Sequence, residues 1–214
     1  MTVASADRAA ALRSRMVDSQ LRRRGIEDER VLAAMQRVPR EAFVPPALAA
    51  HAYDDAALSI GEGQTISQPY IVAAMCSLLA LHGSERVLDV GTGSGYGAAV
   101  LDELAARVVS IERLELLAGR ARAALDVTGH GSVEVRVGDG RLGAPDRAPF
   151  DAIAVAAATE HVPPALYEQL AVGGRLVLPR GGSRGQRLVR VVRTEEGADE
   201  TASLGCRFVP LVAD

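Results

Sequence analysis

Arg86-Val87-Leu88-Asp89-Val90-Gly91-Thr92-Gly93-Ser94-Gly95 decides the fold of this chain. A short apolar run carries one acid near its end and then breaks into three glycines spaced two apart. A buried parallel strand reads this way when it turns sharply into a helix and leaves its backbone open to a ligand. In open α/β folds, ligands sit at the carboxyl end of such a strand, where the connections of the sheet diverge. The stretch therefore predicts a nucleotide-like cofactor held at a strand end.

The spacing narrows the choice. A dinucleotide turn follows G-x-G-x-x-G, and counted from Gly91 the third glycine position falls on Tyr96. Counted from Gly93 it gives Gly93, Gly95 and Ala98, a weak register that moves the turn two residues along. An acid two residues before the first glycine has no role against a pyrophosphate, which it would repel. Asp89 suits a cofactor with a cationic amino group, as S-adenosylmethionine has. A second acid, Glu112, ends the apolar run Val108-Val109-Ser110-Ile111. It lies about 20 residues past the turn, where a strand-end carboxylate holds two ribose hydroxyls. A third, Asp139 in Gly138-Asp139-Gly140, follows the alternating Val133–Val137. Three strand-end acids in succession form a methyltransferase pattern. Taken singly, Asp89 and Glu112 read more simply as caps or loop acids and Asp139-Gly140 as a turn.

Around this centre the chain predicts helices over 7–24 and 28–37, an irregular stretch over 48–67, and a helix from just after Ser67 to about Leu81. Strand 86–90, helix 96–105, strand 107–111, helix 113–128, strand 133–137, strand 151–157, helix 164–170 and strand 174–178 follow. Strands separated by single helices imply right-handed crossovers and a mostly parallel, Rossmann-like doubly wound sheet. The end departs from that rhythm: 188–193 and 206–212, joined around Glu195-Glu196-Gly197, predict an antiparallel hairpin at one sheet edge. One domain is expected over 1–214, with 1–80 a helical, substrate-covering front and 81–214 the cofactor-binding α/β core.

Composition excludes several alternatives. The chain of 214 residues has a net charge of −3, which gives no electrostatic reason to expect nucleic acid or an anionic membrane as partner. It contains no lysine, so a Walker lysine, a Schiff-base lysine and the lysine of a tyrosine–lysine hydride site are all absent. His51, His82, His130 and His161 share no metal-ligand spacing, and no metal is expected. Cys76 and Cys206 make no disulfide framework and suit a reducing compartment, the cytoplasm.

Several segments together resemble one family, the protein-L-isoaspartate O-methyltransferases. They are Tyr53-Asp54-Asp55, Ile60-Gly61-Glu62-Gly63-Gln64-Thr65-Ile66-Ser67-Gln68-Pro69-Tyr70, Val38-Pro39-Arg40-Glu41, the glycine turn, Ser110-Ile111-Glu112-Arg113, and the closing Arg207-Phe208-Val209-Pro210-Leu211. Many methyltransferases share the glycine turn. The Gly-Gln-Thr-Ile-Ser-Gln-Pro and Arg-Phe-Val-Pro-Leu segments are far more specific. The resemblance implies methyl transfer from S-adenosylmethionine to the α-carboxylate of isoaspartyl residues in damaged proteins and peptides, by a monomer. A relative acting on one biosynthetic peptide or small-molecule carboxylate is the alternative.

The resemblance also implies roles. Ser67 is the catalytic residue, hydrogen-bonding the acceptor. Gln64, Thr65, Asp89, Gly91, Gly93, Gly95, Glu112, Asp139, Gly140 and Gln186 hold the cofactor, while Asp55, Ile66 and Ser67 meet the substrate. Apart from any family, Ser67 followed by Gln68-Pro69 also has the chemistry of a helix N-cap. Arg180 stands where an apolar residue is commoner in the family, beside the expected acceptor pocket.

Overall fold

In the computed structural model, which describes residues 3–182 and 184–212, the chain opens with helix α1 (Val3–Met16). The winding then loosens into a π-helical turn over Val17–Leu21 and tightens into a 3-10 turn over Arg22–Arg24, ending at Gly25 with φ +89°. The single helix expected over 7–24 is thus three kinds of turn in series. Helix α2 (Glu29–Arg37) begins where Asp28 caps it: the Asp28 carboxylate accepts from Arg30 N at 2.9 Å and Val31 N at 3.3 Å. The stretch expected to be irregular contains a small hairpin, β1 (Leu58–Gly61) and β2 (Gln64–Ile66), turning through Gly61-Glu62-Gly63. Helix α3 (Pro69–Leu79) follows after two residues.

The central sheet is built from β3 (Arg86–Val90), β4 (Arg107–Glu112), β5 (Glu134–Val137), β6 (Phe150–Val155), β7 (Leu170–Gly182), β8 (Gly185–Arg193) and β9 (Ala198–Cys206). Helices α4 (Tyr96–Asp102), α5 (Glu115–Val127) and α6 (Pro164–Glu168) make crossovers between its parallel strands. The strand order is β5-β4-β3-β6-β7-β8-β9, parallel from β5 to β7 and antiparallel for the last two pairings. The chain leaves β3 towards β4 and β5, then crosses back to place β6 on the other flank of β3. The glycine turn therefore opens at the topological switch point, as the sequence pattern requires.

The reason β3 sits centrally is visible in its side chains. Val87, Leu88 and Val90 are buried on opposite faces of the sheet, in the two halves of the core. Each such burial stabilises by roughly 1.5–3 kcal/mol. Helix α3 covers one face with Ile71, Val72, Met75, Cys76 and Leu79, and Arg175 of β7 grips its C-terminal end by donating to Leu79 O and Ala80 O at 2.7 Å each.

The antiparallel edge differs from the expectation in one strand. The turn does fall at 194–197, but the returning strand is the polar Ala198–Cys206, not 206–212. Residues 207–212 instead form a strap across the ends of the strands. Ala158 N donates to Val209 O at 2.8 Å and Leu211 N to Ala158 O at 2.7 Å. Both outer strands are poor partners for further pairing. β5 has four residues, with Arg136 bonded to Glu134 and Asp146 beside it. β9 has exposed Asp199, Glu200 and Thr201, and its pairing with β8 shifts register between Arg187 and Val189.

Candidate active site

The glycine turn is fastened to the neighbouring strand. Gly91 N donates to Ile111 O at 2.8 Å and Thr92 N to the same oxygen at 3.2 Å. Gly91 and Gly93 hold φ of +94° and +55°, which only glycine adopts without cost. At the end of β4, Glu112 accepts from Gly93 N at 2.8 Å with one oxygen and from Leu114 N at 3.0 Å with the other. This buried carboxylate thus sets the turn, and each oxygen keeps lone-pair capacity for a further donor.

Asp89 is 4% exposed. Its Oδ2 accepts from Ser110 Oγ at 2.6 Å, and that hydroxyl also meets Thr92 Oγ1 at 2.5 Å. Burial pushes the Asp89 pKa up to about 6; the Ser110 hydrogen bond opposes the shift and the nearby Glu112 charge adds to it. A carboxylate held in this state gains most from a cation placed against it.

Beside the turn lies a cavity of about 870 Å³. One wall is the glycine turn with Glu112 and Gly140. A second is the β1–β2 hairpin and the start of α3, from Gln64 to Met75, and the strap from Arg207 to Val212 closes a third. Ser67 is half-buried on the second wall, and among the described residues its hydroxyl makes no hydrogen bond. The N-cap expectation fails here, because Gln68 occupies the cap position of α3 and Pro69 its first turn, and no side chain caps the helix. Ser67 sits one residue too early, which leaves its oxygen free to face the cavity. Cys76 and Cys206 also reach the walls, but burial pushes their thiols up to about 12 and about 11, so neither is a nucleophile at neutral pH.

Of the residues singled out in the sequence, Gln64, Thr65, Ile66, Ser67, Asp89, Gly91, Gly93, Glu112 and Gly140 meet around this one cavity. Gly140 is there for closeness: a Cβ at that position would come within 2.5 Å of Val90 Cγ1. Four others stand back from it. Gly95 packs α4 against α5, where a Cβ would lie 3.3 Å from that of Ala121. Asp139 caps a 3-10 turn and pairs with Arg141 at 2.6 Å. Asp55 bonds Gln68 and Arg24.

Gln186 fixes the strap, accepting from Phe208 N at 2.7 Å and donating to Phe208 O at 3.1 Å. Gln186→Ala removes both bonds, and we expect it to lower stability by about 1–3 kcal/mol. Amide exchange in 207–212 should quicken while that in β3 and β4 stays slow. Unchanged exchange in the strap would contradict the clamp.

Sequence reasoning missed the strap as a wall of the site, together with the Ser110–Thr92 pair. The apolar Phe208-Val209-Pro210-Leu211 run signals burial but not where the burial occurs.

The profile of the protein-L-isoaspartate(D-aspartate) O-methyltransferase family matches residues 12–214. The chain belongs to this family. The protein-L-isoaspartate O-methyltransferase 2 of Marinobacter nauticus is 57% identical over 205 residues, spanning 95% of this chain and 94% of that one. A solved protein-L-isoaspartate O-methyltransferase superposes with a TM-score of 0.84 at 28% identity, over 94% of this chain and 66% of that chain. A Plasmodium falciparum protein in complex with S-adenosyl-L-homocysteine gives a TM-score of 0.82 at 23% identity, over 94% of this chain and 98% of that one, a likeness of fold. The family segments noted in the sequence gather at the cavity or brace its walls: Gln64–Ser67, the glycine turn, Glu112 and Arg207–Leu211 line it.

Proposed function

We propose that this family member transfers the methyl group of S-adenosylmethionine to the α-carboxylate of L-isoaspartyl residues in damaged proteins and peptides. The observation that carries the reading is the unengaged Ser67 hydroxyl, on the wall of the same cavity as the glycine turn. The donor set fits the cofactor. Asp89 offers a buried negative charge for an amino group, Glu112 retains acceptor capacity for a ribose diol, and the backbone of Gly91, Gly93 and Gly140 lines the same cavity. The cavity lies towards the upper end of the ~300–1,000 Å³ usual for ligand pockets, which leaves room for an acceptor beside the cofactor.

When bound, the cofactor supplies a sulfonium methyl whose transfer to a carboxylate cancels one positive and one negative charge. Ile66, Met75 and Phe208 give the walls apolar surface, and the less water the closed site holds, the more it favours that loss of charge. An α-carboxylate, with a pKa near ~3.5, is already ionised at neutral pH and needs no general base. Ser67 donates to one of its oxygens and leaves the other aimed along the line of transfer. Catalysis is thereby mostly positioning.

The front over 1–80 and the α/β core over 81–214 act as one domain in this reading. A hydrophobic core running from Met16 and Leu32 through Leu79 to Val177 and Leu188 supports it. The acceptor is taken by a monomer in the cytoplasm. The free thiols of Cys76 and Cys206 support the reducing compartment in that reading.

The test uses labelled S-adenosylmethionine and two synthetic peptides that differ only in carrying L-isoaspartyl or L-aspartyl at one position. Base-labile label should appear on the isoaspartyl peptide alone. Cofactor binding with no label on either peptide would redirect the reading to one specialised carboxylate.

A further inference from the structure

Asp55 lies outside the cavity, yet it is bonded to the residue that follows Ser67. Gln68 Nε2 donates to Asp55 Oδ1 at 2.8 Å and to Asp55 O at 3.1 Å, so one amide group grips both the side chain and the backbone of Asp55. The other carboxylate oxygen of Asp55 accepts from Arg24 Nη1 at 2.9 Å. The Arg24 guanidinium in turn lies 3.6 Å from the centroid of the Tyr70 ring, and Tyr70 Oη donates back to Arg24 O at 3.4 Å. These contacts close a loop around a connection of two residues, Ser67 and Gln68, between β2 and α3.

Both ends of that connection are fixed. Ile66 is buried and paired with Leu58, and Pro69 is buried at the first position of the helix. No side chain of the connection caps α3, so the helix itself does not hold Gln68 by its amide. The backbone of Gln68 is held from the helix side, its carbonyl accepting from Ile71 N at 3.0 Å and Val72 N at 3.2 Å, and the Asp55 grip adds a second hold through the Gln68 side chain, next to Ser67. The ion pair in this arrangement contributes little to stability. Arg24 and Asp55 side chains are 41% and 40% exposed, and ion pairs so open to water add little to folding.

We propose that Asp55 and Gln68, braced by Arg24, are positioning residues that aim the Ser67 hydroxyl at the acceptor carboxylate. This rests on the methyltransferase reading above. It also replaces the sequence expectation that Asp55 touches substrate. An acceptor held by one hydrogen bond is sensitive to such aim, since misplacement by about 1 Å can cost up to ~100-fold in rate.

The test compares Asp55→Ala, Gln68→Ala, the double variant and Asp55→Asn in the full chain. It uses the isoaspartyl peptide with saturating S-adenosylmethionine, together with amide exchange over 64–72. We expect kcat to fall about tenfold in each alanine variant, with peptide KM and cofactor affinity near those of the unaltered protein. The double variant should be no worse than the weaker single, because both changes break the same bridge. Asn at position 55, which still accepts from Gln68, should recover most of the loss. Exchange over 64–72 should quicken equally in both singles and no further in the double.

A rise in peptide KM at unchanged kcat, adding to the effect of Gln68→Ala, would overturn the proposal in favour of direct substrate contact. Wild-type kinetics in every variant would overturn it as well. If the unaltered protein methylates neither peptide, the isoaspartyl reading falls and the exchange data alone decide: shared, non-additive loosening supports the coupling, and unchanged exchange refutes it.

Discussion

Ser67→Ala should lower kcat for an isoaspartyl peptide about a hundredfold while leaving cofactor affinity and melting temperature unchanged. The size follows from where the hydroxyl acts: removing one hydrogen-bond donor to a reacting oxygen costs roughly 10²–10³ in rate. The absence of a stability effect follows from the geometry. Ser67 caps no helix, and among the described residues its hydroxyl bonds nothing, so no structural partner is orphaned by alanine. Thr at this position should retain part of the rate because it keeps the donor. A drop in melting temperature as large as that of a lost cap, about 1 kcal/mol in stability, would show that the hydroxyl serves the fold instead.

Asp89→Asn should move binding and stability in opposite directions. Burial raises the folded-state pKa of Asp89 from 3.8 to about 6. As pH rises, the unfolded chain therefore loses this proton first, and the folded state is progressively penalised between about pH 4 and pH 6. Above that window the penalty is of order 3 kcal/mol, from about 1.4 kcal/mol per pKa unit. Below pH 4 it vanishes. Asparagine can still accept from Ser110 and carries no charge to desolvate, so the cofactor-free variant should melt higher than the unaltered protein at pH 8 and similarly at pH 4. Its affinity for S-adenosylmethionine should fall at least about tenfold at pH 8, for want of a charge opposite the amino group. In the unaltered protein that affinity should weaken as pH drops through 6, whereas the variant should be nearly flat. Calorimetric titration at pH 5 and 8 together with thermal melts would check all four corners. Equal affinities at pH 8 would remove Asp89 from the cofactor site.

The central part of this fold was legible because two periodicities and one punctuation mark carry it. Alternating apolar strands and helical spacings gave the parallel sheet, and the glycine triplet marked the switch point after β3. Asp89 and Glu112 come to line the cavity because a strand end fixes both the position and the direction of a residue. Asp139 also ends up beside a strand end, but Arg141 two residues later competes for its carboxylate, and no pattern announces that contest. Gln186 and Asp55 were legible as family positions, but their partners, Phe208 and Gln68, depend on which distant segments come to lie alongside. The edge strand was misread for a plain reason. Ala198–Cys206 is exposed on most of its length and lacks apolar alternation, whereas Phe208–Leu211 is apolar because it roofs a cavity.

The two rims of the sheet bear on what this protein meets. Its proposed clients are damaged, locally loosened polypeptides, which readily add themselves as extra strands to any long, flat, unpaired border. β5 is too short and too crowded with arginine and carboxylate to template such a visitor, and β9 combines a register shift with a run of exposed polar side chains. A catalyst for sticky chains with such borders offers them no strand to pair with, which leaves the cavity rather than the sheet edge as the place where a client engages.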